Sequence, residues 1–206
     1  MKIVLLPGVG YHTDTSKQQT FLDKVTEDID CEAEVFNWMH GQHLGDHTDH
    51  HIVENLKCTH LRSWITEVLL DFQHVLVNID KIEIPEADIY MGHSAGSLIA
   101  LSKKKPCIIF GSPAHLIEDY HYSESKAIPN RVDEDAKVLN IYHDHDVLSY
   151  PYHKPHTENF KIKFSIFSTV KYLPLIGPIA AHTSYWKNKK VIDKINSTLK
   201  EWKKKA

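Results

Sequence analysis

Apolar positions recur along the chain in two alternating rhythms. Ile3 to Leu6 is an unbroken apolar run closed by Pro7-Gly8-Val9-Gly10, which predicts a buried strand entering a glycine-containing loop. Residues 15–29 set Phe21, Leu22, Val25 and Ile29 on one face behind Thr15 or Ser16 as cap, a helical pattern. Glu32 to Trp38 alternates and predicts a second strand, followed by a polar, glycine-bearing loop from His40 to His51. The strongest helical signal spans Leu61 to about Ile79, with Ile65, Val68, Leu69, Phe72, Val75 and Leu76 at three- and four-residue steps. Short strands follow at Ala87–Met91, Cys107–Phe110 and Val138–Tyr142. A short helix from Ala95 to Lys103 ends in three lysines ahead of Pro106, where cations suit the negative end of the helix dipole. Residues 187–204 close the pattern with a stripe of Val191, Ile192, Ile195, Leu199 and Trp202. Strands alternating with helices predict an α/β fold, a mostly parallel sheet with helices on both faces. Residues 113–136 and 151–181 are excursions from that alternation, and no internal repeat is visible.

Composition narrows the class. A chain of 206 residues, 42% hydrophobic and 25% charged, predicts one globular domain over 1–206. Acidic and basic residues nearly balance at a net charge of -3, so the basic surplus of a nucleic-acid binder is missing. The three cysteines, Cys31, Cys58 and Cys107, form no C-x-x-C pair, which predicts a reducing, cytoplasmic setting and, for Cys107 in its strand, an inert buried thiol. The apolar start is too short for a secretory signal, and no window approaches a membrane span. Sixteen histidines are the oddity, and their protonation would swing the surface charge between about pH 5 and 8. His40, His43, His47, His50 and His51, with Asp46 and Asp49, contain metal-ligating types, but Gly41 and Gly45 break the register; a solvated loop without metal is expected.

The chemistry concentrates at Gly92-His93-Ser94-Ala95-Gly96. This G-x-S-x-G lies between a predicted strand and a predicted helix, where a sharp turn lifts the Ser94 hydroxyl above the sheet edge. The small Gly92 and Gly96 let neighbouring segments approach that turn. A neutral hydroxyl is a poor nucleophile and needs a base oriented by a third group. In α/β sheets such groups come from loops after later strands. After Val138–Tyr142 the chain reads His143-Asp144-His145-Asp146-Val147, and ahead of the last helix stands Ala181-His182-Thr183. Serine, acid and histidine thus follow one another along the chain.

Gly92-His93-Ser94-Ala95-Gly96, the acid-bearing Asn140 to Asp146 and the late His182 together resemble the α/β-hydrolase superfamily, over about residues 2–202 and at the length of its small members. The resemblance implies Ser94 as nucleophile, Asp146 as acid and His182 as base, with an oxyanion hole built from the backbone N–H groups of Val9 and Ala95. Gly10 is the alternative to Val9, because Pro7 has no N–H. His143 stands where that family usually has glycine, and the acid is expected three residues later, at Asp146; Asp144 is the rival. The implied activity is hydrolysis of a carboxylic ester or related acyl bond on a small-molecule substrate, without cofactor. Thioester and peptide cleavage share the same machinery, and a binding protein that keeps the fold is the non-catalytic alternative. Phe160–Phe167 alternates and Tyr172–Ile179 is almost wholly apolar, which predicts either one more strand with its packing loop or an apolar wall for an acyl chain.

Overall fold

The computed structural model describes residues 1–8, 15–38, 75, 78–79, 81–115, 136–163 and 176–205. Within them six strands form one sheet: β1 (Lys2–Leu6), β2 (Glu32–Val35), β3 (Ile89–His93), β4 (Cys107–Phe110), β5 (Val138–His143) and β6 (Thr157–Ile162). The spatial order is β2-β1-β3-β4-β5-β6, and every neighbouring pair is parallel. Registers such as Val4 opposite Tyr90 and Ile109 opposite Asn140 align the carboxyl ends along one edge.

The inner strands read as continuous apolar runs because both of their faces are covered. Val4, Leu6, Tyr90, Ile109 and Val138 pack on one side with Leu98 and Ile99 of helix α2 (Ala95–Ser102). Val75 and Ile79, four residues apart, are buried on the same side. Ile3, Leu5, Met91, Phe110, Leu139 and Ile141 face the other side, against Phe21, Leu22 and Val25 of α1 (Ser16–Thr26) and Val191, Ile195 and Leu199 of α4 (Lys189–Lys205). Helices therefore lie on both faces, as the alternation predicts. Beyond Val75, Asn78 and Ile79, the long helix expected over 61–79 lies outside the described residues, as does the His40–His51 cluster.

Two elements depart from the sequence reading. The second excursion contains β6, which begins at Thr157 rather than Phe160. As an edge strand it keeps Glu158, Asn159 and Lys161 at least partly open, so its polar start hides it from an apolar-run criterion. Of the apolar stretch Tyr172–Ile179, the described part opens helix α3 (Ile176–Thr183), with Pro178 in the first turn, where a missing N–H costs nothing; its earlier residues lie outside the described ones. A 3₁₀ turn (Ser184–Lys187) joins α3 to α4. Among the described residues no helix is long and apolar enough to cross a membrane.

Candidate active site

The strand order reverses direction at β1. The chain leaves β1 for β2 on one side, returns to β3 on the other, and continues outward. Ligands in open parallel sheets bind in the crevice at such a switch point, outside the strand carboxyl ends. Here that crevice lies between Pro7-Gly8, after β1, and Ser94, after β3.

Ser94 links β3 to α2 with φ 53 and ψ -127, a conformation that costs a non-glycine residue about 1–3 kcal/mol. Hydrogen bonds from the Ser97 N–H and Ser97 Oγ to its carbonyl hold it there. Ser97 Oγ lies 2.7 Å from Ser112 Oγ, which accepts from the Ala114 N–H. The flanking glycines are steric requirements. A Cβ on Gly92 would stand 2.5 Å from Ser97 Cα, and one on Gly96 would stand 2.2 Å from the Leu6 carbonyl oxygen. Trp38 Nε1 donates to the Pro7 carbonyl at 2.7 Å and ties down the facing loop.

At the end of β5, Asp146 and Asp144 part company. The Asp146 side chain is buried, and its Oδ2 accepts from His182 Nδ1 at 2.9 Å and from the Tyr185 hydroxyl at 2.8 Å. Its Oδ1 accepts from the Leu148 N–H at 3.0 Å. Burial alone would raise its pKa, but His182, Leu148 and Tyr185 together hold it below the usual carboxylate range. Asp144 points outward to Lys161 at 2.7 Å. His143 folds back so that its Nδ1 accepts from the His145 N–H, and its backbone has no positive φ, so no glycine is needed there.

His182 lies in the last turn of α3, its side chain 18% exposed. A Cβ on Gly111 would lie 3.2 Å from His182 Cε1 and 3.2 Å from His93 Cδ2, while Ser94 N–H donates to the neighbouring Phe110 carbonyl. Serine, histidine and acid elements thus converge on the ends of β3, β4 and β5. Ala95 opens α2, where its N–H has no acceptor within the helix. Val9 and Gly10 lie outside the described residues.

Sequence reasoning missed Tyr185 and His93. Tyr185 follows His182 by three residues, from the last turn of α3 into the 3₁₀ turn, and that i, i+3 spacing is the signal that could have found it. Burial, then the Asp146 charge, pushes its phenol well above the usual range, so it remains a donor. Cys107 is buried and its thiol is pushed up to about 12 by burial; Cys31 is also a free thiol. A cavity of about 510 Å³ opens beside the acid loop, lined among others by Tyr142, His145, Tyr150 and Lys161; neither Ser94 nor His182 lines it. Among the described residues no group of histidine, cysteine and carboxylate side chains is arranged to hold a metal.

No family model and no curated protein sequence matches this chain. Among solved structures it is similar to a protein of Xanthomonas campestris pv. campestris described as a candidate hydrolase of the alpha/beta superfamily, at 14% identity over 97% of this chain and 98% of that one, with a TM-score of 0.49.

Proposed function

We propose that this protein is a serine hydrolase of the α/β-hydrolase type that cleaves a carboxylic ester or related acyl bond. The observation that carries this reading is the 2.9 Å contact between Asp146 Oδ2 and His182 Nδ1, at the sheet edge where Ser94 is held at positive φ. An Nδ1–H bound to a carboxylate leaves Nε2 bare, the tautomer a general base needs. Ser94 Oγ attacks the carbonyl while His182 Nε2 takes its proton, and the imidazolium is stabilised by the ionised Asp146. The N–H groups of Ala95 and Val9 bind the developing oxyanion, which the positive end of α2 also favours. His182 returns the proton to the leaving alcohol. Water then repeats the sequence on the acyl-enzyme and frees Ser94.

Fluorophosphonate labelling tests this directly. The expected result is one adduct on Ser94, lost in Ser94→Ala, together with hydrolysis of p-nitrophenyl esters that falls below a tenth of wild type in that variant. A folded wild-type protein that neither labels nor hydrolyses any ester from acetate to decanoate would overturn the reading and leave a binding protein on this fold.

A further inference from the structure

His93, the residue before Ser94, is 1% exposed and takes no part in the chemistry above. Its ring sits among Phe110, Trp186, Tyr185 and His182, with centroids 5.4, 4.8, 5.9 and 4.8 Å away. Its Nε2 lies 2.9 Å from the backbone carbonyl of His182. A carbonyl only accepts, so Nε2 carries the proton and Nδ1 is bare. Among the described residues Nδ1 has no hydrogen-bond partner. A phenylalanine would fill the same aromatic cage without burying a bare nitrogen, so packing does not account for the imidazole. What the histidine adds is the N–H.

We propose that His93 is a positioning residue for His182, its Nε2–H locking the base-bearing turn of α3 to the elbow that carries Ser94. The two segments are 89 residues apart in the chain, and Asp146 restrains only the imidazole of His182, not its backbone. Tyr185 and Trp186 keep the following 3₁₀ turn packed, but without the His93 contact the His182 backbone loses its direct tie to the elbow and can shift relative to Ser94. A displacement of the base by about 1 Å can cost 10²-fold in rate. His93 does not shuttle protons, since burial and then the neighbouring His182 lower its pKa to about 3. The proposal rests on the reading of Ser94 and His182 as nucleophile and base.

The test compares His93→Phe, which keeps the ring and removes the donor, with His93→Gln, which keeps an N–H at similar reach. Three readouts are taken on each: fluorophosphonate labelling rate, kcat and KM on a short-chain ester, and the low-field proton resonance of His182 Nδ1–H. That resonance is assigned by its absence in Asp146→Asn. His93→Phe is expected to lower kcat and the labelling rate together by about 10- to 100-fold at unchanged KM. It should also move or broaden the low-field resonance, while His93→Gln recovers most of all three. Wild-type kcat and resonance in His93→Phe, or equal impairment in both variants, would overturn the proposal. Should the phenylalanine variant fail to fold, His93→Met replaces it in the same comparison. A wild-type protein that does not label would defeat the catalytic reading, whereas loss of the resonance in His93→Phe alone would still uphold the contact.

Discussion

Asp144 and Asp146 differ by two positions and by everything that surrounds them. Asp146 is buried against three donors, whereas Asp144 shares a half-exposed surface pair with Lys161. Exposed pairs contribute about 0–1 kcal/mol, and a buried carboxylate that fixes an imidazole tautomer controls far more. Asp146→Asn should therefore lower kcat on esters by about 10³–10⁴-fold, and Asp144→Asn by no more than about twofold. Tyr185→Phe should fall between, because it removes one hydrogen bond to a buried charge, worth about 1.5–3 kcal/mol. Steady-state kinetics on the three variants decide the matter. A dead Asp144 variant beside an active Asp146 variant would reassign the acid.

At the scale of elements, the position of Ser94 depends on how closely α2 can approach β1. Gly96 is the point of contact: a Cβ there would meet the Leu6 and Pro7 carbonyl oxygens at 2.2 and 2.5 Å. Both are backbone atoms of the strand and its loop, so no side-chain rotation relieves the clash. Gly96→Ala should destabilise the fold by at least about 3 kcal/mol, read from urea unfolding, and slow labelling of Ser94 in whatever fraction still folds. A variant as stable as wild type would mean that α2 can shift outward without loss. The other elements that carry the site are short, and their positions come from packing. The four-residue 3₁₀ turn and α3 are held by Tyr185 and Trp186, which pack beneath them with Phe110 and Phe21. That apolar cluster is continuous with the face covered by α1 and α4.

For the whole molecule, the buried titrating groups tie folding to acid. His93 has a pKa lowered from 6.5 to about 3 in the fold, so between those values the unfolded chain binds a proton that the native state refuses. Stability must therefore fall as pH drops from 6.5 toward 3, by up to about 1.4 kcal/mol per pH unit. Asp146 adds to this at lower pH. Its native pKa lies below the ordinary 3.8, so its contribution is present above that value and is lost as pH falls through the depressed one. Urea midpoints at pH 7, 5 and 4 should decline steeply in wild type and less steeply in His93→Phe. Parallel curves for the two proteins would show that His93 is not the group responsible.

How much of this was legible in the chain follows from where each interaction is local. Continuous apolar runs such as Ile3–Leu6 and Cys107–Phe110 determined the parallel sheet, because only a strand covered on both faces needs so many apolar neighbours. The G-x-S-x-G spacing determined the sharp turn at Ser94, because the clash at Gly92 is built from backbone of Gly96 and Ser97 a few residues on, whereas the one at Gly96 arises only when β1 packs beside the motif. The edge strand β6 was legible only as the alternation from Phe160, one of two readings of that stretch; its start at Thr157 stayed hidden, since half the strand's residues face water. In the motif and loop, residue types and order singled out Ser94 and His182 and left two aspartates; the family resemblance favoured Asp146, but nothing in the chain shows which aspartate faces inward. That was decided by the turn after His143, which buries Asp146 against α3 and leaves Asp144 at the surface. Tyr185 and His93 acquire their partners across 39 and 89 residues, through the docking of the 3₁₀ turn and α3 on the sheet edge. A hydrogen bond of that kind depends on where two segments meet in space, and only the tertiary structure determines that.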